Sequence, residues 1–420
     1  MIIGKGYENR FLTDDEIFGL MSESIESANL SGKKVLVIIP DHSRTAPIGK
    51  IFKILYNLLA HKSASLDFLI ALGTHPPMTD EQIYHRVEIT AEEHKQKYSK
   101  VRFFNHHWKD PDALTTLGTI SKEEIAKITD DTFSMPVKIV VNKKVLDYDH
   151  LLIIGPVFPH EVVGFSGGNK YIFPGIAGQE IIDFFHWLGA VITNPLINGH
   201  KYTSVRKVID CAVSHLSVKR SAFCLVVKGE ELAGLYYSSP EEAWSKAADL
   251  SDKVHITYKD KPFHTVLSCA PKMYDDIWTA GKCMYKLEPV VADGGTLIIY
   301  APHIDEISYS HGKIIDMIGY HTRDYFVKQW DKFKNYPWGV VAHSTHVRGI
   351  GTYENNIEKP RVNVVLATKI PEERCRKINL GYMDPDKINI DDYKNKEDKG
   401  ILYVAKAGEI LYRLKSPSFP

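Results

Sequence analysis

KKVLVIIPDHSRTAPIGKIFKILYNLL, residues 33–59, holds a strand, a polar loop and a helix in a single line. Lys33 to Pro40 is a short apolar run with β-branched residues, which reads as a buried strand. Pro47 suits a first helical turn. After it, Ile51, Ile54, Leu55, Leu58 and Leu59 recur at helical spacing. The pattern repeats at once. Ser65 to Leu72 reads as a strand and Gly73 to Pro77 as a loop. Thr79 to Arg86 reads as a helix capped by Thr79, with Glu81 and Gln82 in its first turn. Further strands are expected at 101–105, 137–141 and 150–155. Strands alternating with helices predict a mainly parallel sheet with helices on both faces. Ligands of such sheets bind beyond the carboxyl ends of the strands. Asp41, Arg44, His75 and His160 each fall just after an expected strand, which places them on one rim.

After Asp252 the chain turns polar, and a second series begins: strands at 264–271, 294–302 and 362–368, and a helix over 275–291. The expected fold class is therefore α/β, two α/β domains with mainly parallel sheets around an interdomain cleft. The boundary is placed near residue 255. Domain 1–255 would carry the cofactor and the acid/base residues, and domain 256–420 would close over the substrate. The strand at 400–405 could return to the first domain.

Composition narrows the partners. The 420 residues are 44% hydrophobic, enough for more than one core, and 52 basic residues balance 52 acidic ones. That balance argues against nucleic acid and for a small molecule. The five cysteines, Cys211, Cys224, Cys269, Cys283 and Cys375, are odd in number and lack a C-x-x-C pair. A disulfide framework is not expected, and a cytoplasmic location is. The first residues lack the apolar core of a signal peptide, and no run reaches the ~20 residues that span a membrane.

The segment PHEVVGFSGGNKYIFPGIAGQEIIDFFH, 159–186, gathers the chemistry. His160 follows a proline-locked strand end. Gly167 and Gly168 let a backbone come close to a ligand. Lys170 offers a nucleophilic amine. His186 sits beside the apolar face of an expected helix, where a histidine is more often a satisfied core residue than a ligand. Gly73-Thr74-His75-Pro76-Pro77 fixes His75 as a general base, or is simply an exposed loop. Asp41 and Arg44 form a carboxylate-binding loop or a structural pair. Trp278 and Lys282 stand one helical turn apart, with Asp275 and Asp276 as caps. His343 and His346 form an H-x-x-H pair without a supporting acidic ligand. No G-x-x-x-x-G-K-[ST] loop and no G-x-G-x-x-G after the first strand is present, which disfavours an NTPase and an NAD-dependent dehydrogenase.

Together these pieces resemble the nickel-pincer nucleotide-dependent lactate racemase family over nearly the whole chain. The D-x-x-R element matches at Asp41 and Arg44, the G-[TL]-H loop at His75, and the P-H…G-F-S-G-G-x-K block at His160 and Lys170. The following histidine matches at His186, and the second-domain lysine at Lys282. The resemblance implies a 2-hydroxyacid racemase or 2-epimerase. It implies a nickel pyridinium-3,5-bisthiocarboxylic acid mononucleotide covalent at Lys170, with Gly167 and Gly168 nearby and His186 as the nickel ligand. His75 and His160 would be paired acid/base residues. Arg44 and Lys282 would hold the substrate, with Asp41 and Trp278 beside them. Cofactor-synthesis proteins would be partners. The chemical logic is that hydride transfer from Cα avoids a carbanion next to a carboxylate, while a positioned imidazole takes the hydroxyl proton. The family prototype has tyrosine at the place of Trp278. Indole removes the phenol hydroxyl and adds bulk, so the expected substrate is larger or more hydroxylated than lactate. The rival readings are an NAD-dependent 2-hydroxyacid dehydrogenase and a non-catalytic hydroxy-acid binding protein.

Overall fold

A computed structural model describes residues 1–416. The chain divides into two compact units. The first is Met1–Phe158, Phe165–Ile182 and Lys201–Val254; the second is Pro159–Gly164, Asp183–His200 and the chain from His255.

The first unit is built on a seven-stranded sheet. Its strands are β1 (Ile3–Gly6), β2 (Lys34–Pro40), β3 (Ser65–Ala71), β4 (Phe103–Asn105), β5 (His150–Pro156), β6 (Lys219–Lys228) and β7 (Glu231–Ser238). The order is β1-β7-β6-β5-β2-β3-β4. From β6 to β4 every pairing is parallel, and β1 and β7 add an antiparallel edge. The centre of β2 and β5 is wholly buried, as two helix-covered faces require. Helix α1 (Asp14–Ala28) begins at a Thr13–Glu16 capping box. Helix α2 (Ile48–Leu59) buries Ile51, Phe52, Leu55 and Leu59 on the sheet. Helix α3 (Asp80–Arg86) starts at the expected Thr79, which exchanges bonds with Gln82 in a capping box.

In the second unit, β8 (Phe263–Cys269), β9 (Val291–Ala301), β10 (Asn363–Thr368), β11 (Gly381–Tyr382) and β12 (Ile401–Val404) form an all-parallel sheet. Its order is β11-β10-β9-β8-β12. The strand expected at 400–405, β12, pairs with β8 and stays in this sheet rather than returning to the first. Burial on both faces of β8 favours it there.

Two other expectations change. The strand Val137–Asn142 is real, but it pairs antiparallel with Leu114–Ile120 in a separate two-stranded sheet. The expected helix over 275–291 is two single turns, Ile277–Ala280 and Lys282–Tyr285, meeting at Gly281, followed by a 3₁₀ turn at Glu288–Val290. Pro289 and the low helix propensity of Gly281 work against a continuous helix.

Candidate functional site

The expected site residues fall in both units. Asp41, Arg44, His75, Gly167, Gly168 and Lys170 belong to the first; His160, His186, Trp278 and Lys282 belong to the second.

In the first unit, β2 and β3 are neighbours with Pro40 opposite Ala71, so their carboxyl ends open side by side. That register brings two loops together. The Asp41 carboxylate meets Nδ1 of His75 at 2.5 Å. Its other oxygen accepts from the Ser43 amide at 3.1 Å and the Ser43 hydroxyl at 2.6 Å. Burial works against the charge, but the bonds from His75 and Ser43 and the Arg44 guanidinium hold the Asp41 carboxyl well below the usual aspartate range. Asp41 is 5% exposed and His75 43% exposed at the side chain, so an anchored anion orients an accessible ring. With Nδ1 donating to Asp41, a neutral ring keeps its lone pair on Nε2.

Arg86 of α3 holds this loop from behind. Its guanidinium donates to the carbonyls of Arg44 at 2.9 Å, Ala46 at 3.3 Å and Pro40 at 3.4 Å. Nothing in the spacing of the sequence singled out Arg86, because its partners are backbone oxygens far along the chain.

Lys170 lies on a 3₁₀ turn, Gly168–Tyr171. Its amide donates to Gly167 O at 3.3 Å, and its carbonyl accepts from Gly175 N at 3.1 Å. The buried Arg206 of helix α5 (Ser204–Ser214) donates to the carbonyls of Phe165 at 2.5 Å and Gly167 at 3.3 Å. Trp244 of helix α6 (Pro240–His255) donates from its indole to Ser166 O at 2.9 Å and lies under the Arg206 guanidinium. Asn169 donates to Asp210 at 2.9 Å and Glu241 at 2.7 Å. Gly167 and Gly168 both have positive φ, +86° and +57°. A Cβ at Gly167 would stand 2.6 Å from Val157, and one at Gly168 2.9 Å from Trp244. The close approach these glycines permit is therefore to the protein's own side chains, in a turn that presents Lys170 on a fixed backbone. The next residue, Tyr171, packs on Gly155. Burial raises its phenol, and the charges of Arg44 and Arg86 pull it back, so this turn borders the Asp41 loop.

In the second unit, His160 is 7% exposed. Its Nδ1 accepts the Val162 N–H at 3.1 Å and lies 3.4 Å from the Glu161 carboxylate. Lys286 donates its ammonium to Pro159 O. Helix α4 (Gln179–Ile192) passes Val162 so closely that a Cβ at Gly189 would meet Val162 O at 3.0 Å.

His186, on α4, lies near helix α9 (Trp338–Arg348; α7 and α8 are the turns Ile277–Ala280 and Lys282–Tyr285). Asp183 accepts from Gly339 N at 2.9 Å at the start of α9. That helix carries His343 and His346, both buried. Burial, with the charges of His346, His311 and His186, drives His343 well below its ordinary range. Burial pushes His346 down to about 4, with the Glu161 charge opposing it. His343 stacks on Trp278 at 4.0 Å between ring centroids and receives the Tyr320 hydroxyl at 3.4 Å; the His311 ring also packs on Trp278, tilted, at 4.5 Å. The H-x-x-H pair is thus a buried, neutral imidazole layer beside His186. The Lys282 ammonium stands 4.9 Å from the Tyr274 ring. Among the described residues, no three His, Cys, Asp or Glu side chains gather as a cage for a bare metal ion. Nor is any described helix long and apolar enough to cross a membrane.

Two units with mainly parallel sheets, a carboxylate-backed histidine at a strand-end rim and a lysine on a clamped glycine turn define a two-unit α/β protein. Comparison with known proteins narrows it. Residues 19–196 match the lactate racemase N-terminal domain. The lactate racemase of Thermoanaerobacterium thermosaccharolyticum is 25% identical over 281 residues, 65% of this chain and 61% of that protein. The lactate racemase of Lactiplantibacillus plantarum is 24% identical over 296 residues, 67% of this chain and 62% of that protein. These matches span less than two thirds of either curated relative. A crystal structure of a Thermotoga maritima protein is 34% identical, with a TM-score of 0.87 over 97% of this chain and all of that one. The lactate racemase apoprotein of Thermoanaerobacterium thermosaccharolyticum shares the fold at 18% identity, with a TM-score of 0.73 over 98% of this chain and all of that one. Residues 19–196 thus carry a lactate racemase N-terminal domain, and the chain as a whole shares the fold of the lactate racemase apoprotein.

Proposed function

We propose that this protein is a 2-hydroxyacid racemase or 2-epimerase that works with a nickel-pincer nucleotide. The observation that carries the reading is the Asp41–His75 pair: a buried carboxylate fixes the ring so that an accessible Nε2 can take a hydroxyl proton.

The residues fit the group. A pincer nucleotide brings most of nickel's donors with it and asks the protein for one neutral imidazole. His186 would supply it, in surroundings that already hold two other imidazoles neutral. Lys170 would hold the nucleotide covalently, from a turn whose backbone is bonded at both ends. When bound, the group would accept hydride from Cα and return it. The chain's own part is to hold the acid with Arg44 and Lys282, to move the hydroxyl proton at His75 and His160, and to keep Asp41 ionised behind His75. Cofactor-synthesis proteins would load the nucleotide. The five cysteines are all free, which fits a reducing cytoplasm.

Trp278 bears on the substrate. Stacked on His343 and packed against His311, the indole is a fixed wall rather than a mobile side chain. A hydroxy acid larger or more hydroxylated than lactate suits it better. The test is a panel of single-enantiomer 2-hydroxy acids given to the cofactor-loaded protein, with chiral chromatography of the products. Interconversion of at least one acid supports the reading; none across the panel rejects it.

A further inference from the structure

The two imidazoles that the sequence presents as a matched pair have different partners. At His75, Nδ1 faces a carboxylate, so a neutral ring carries its proton on Nδ1 and leaves Nε2 bare. At His160, Nδ1 accepts the Val162 N–H, so in that state the ring proton sits on Nε2. A neutral ring of that tautomer can donate from Nε2 but has no lone pair there to receive a proton. It cannot act as a base toward a substrate oxygen. The second group at Nδ1 is the Glu161 carboxylate, 3.4 Å away. A carboxylate can serve only a ring that carries a proton on Nδ1. One nitrogen therefore has a donor and an acceptor within reach, and the protonation state of the ring selects between them.

We propose that Glu161 is the positioning residue for His160, the counterpart of Asp41 for His75, and that it lets His160 both take and return a proton at Nε2. The proposal rests on reading His160 as an acid/base residue. With Nδ1–H turned to Glu161, the lone pair on Nε2 takes the hydroxyl proton of the substrate. The resulting imidazolium has one N–H on Glu161 and one on the substrate oxygen. In the opposite sense, the Nε2 proton goes back to the oxygen and the neutral ring keeps Nδ1–H. One proton crosses in each direction, and the ring neither gains nor loses electrons.

The surroundings limit the alternatives. Gly189 packs on Val162 and Lys286 holds Pro159 O, so the segment cannot easily swing the ring to new partners. Glu161 is 18% exposed, against 5% for Asp41, and its nitrogen partner is also claimed by a backbone amide. The Asp41 arrangement is pre-set, and the Glu161 arrangement is switchable. The charge of the same carboxylate acts on the buried His346, whose Nε2 has no hydrogen-bond partner among the described residues.

The test is ¹⁵N-histidine NMR of the full-length protein without cofactor, at neutral pH, with His160 signals assigned by their loss in His160→Gln. The native protein should show His160 nitrogens averaged between the two neutral tautomers. Glu161→Gln and Glu161→Ala should both move His160 to the Nε2–H form, with the His75 signals unmoved as evidence of an intact fold. In the loaded protein both variants should lose turnover on the order of 100-fold, the low end for a positioned acid/base group, mainly in kcat. A native His160 wholly in the Nε2–H form, or one whose signals stay in place in both variants, overturns the proposal. The tautomer measurement needs no activity, so it stands or falls apart from the isomerase reading, which the hydroxy-acid panel tests.

Discussion

Asp41 with His75 and Glu161 with His160 are each a carboxylate beside an imidazole, yet they are assembled by different means. Asp41 reaches His75 across 34 residues because two parallel strands lie side by side in register. Ser43 and Arg44 then stabilise the same anion. Glu161 reaches His160 because it is the next residue, and it shares the ring nitrogen with a backbone amide. A partner delivered by a sheet is fixed by the core behind it. A partner delivered by the next residue is a local choice that the ring can accept or refuse.

The sharpest way to break this comparison is to remove the rings. His75→Ala and His160→Ala should each lower interconversion by roughly 100- to 10,000-fold, the range for a positioned acid/base group. Chiral chromatography of initial rates checks it, and native-like rates in both variants would refute the assignment. Asp41→Asn comes next. The neutral amide should leave His75 without its anchor and cost on the order of 100-fold in kcat, at least as much as Glu161→Gln.

The same residue gives a stability signature. The folded-state pKa of Asp41 is depressed, so its stabilisation is whole above the ordinary aspartate range and fades as pH falls below about 4. Urea melts of native and Asp41→Asn protein should therefore converge as pH falls. Parallel curves down to the acid end would contradict a buried, hydrogen-bonded Asp41 carboxylate.

A smaller effect is expected behind Lys170. Arg206→Met should leave the carbonyls of Phe165 and Gly167 without their donor, at roughly 1–3 kcal/mol for each buried group. Denaturant unfolding measures it, and a change below about 0.5 kcal/mol would show that the turn does not depend on this clamp. Smallest is Trp278→Tyr. It should shift the ratio of kcat/KM values toward lactate by about tenfold, the size of a change in pocket shape. A ratio unmoved by the substitution would place discrimination elsewhere.

The strand and helix of residues 33–59 were legible because apolar runs and helical spacing are local signals, and Thr79 announced its capping box. The boundaries that failed depended on partners. Val137–Asn142 has the composition of a sheet strand, but only its pairing with Leu114–Ile120 shows that it belongs to a separate ribbon. Strands β6 and β7 escape the pattern reading, although 222–227 within β6 is an unbroken apolar run like that of β2. At the site, Asp41 and His75 were each visible as loop residues, but their bond needed the β2–β3 register. Arg86 and Arg206 act on backbone oxygens, which leave no trace in spacing. Glu161 was in plain sight beside His160 and was passed over, because an adjacent carboxylate is usually just a solvated charge. The H-x-x-H spacing of His343 and His346, without an acidic ligand, argues against a metal, but only the packing shows that His343 stacks on Trp278.

The central claim is isomerisation by hydride rather than proton transfer at Cα. It is tested most directly by incubating the cofactor-loaded protein with one enantiomer of a 2-hydroxy acid in D₂O, and examining the product by chiral separation and mass spectrometry. The account predicts the opposite configuration at Cα with the original hydrogen retained there. Deuterium at Cα of the interconverted product would contradict it.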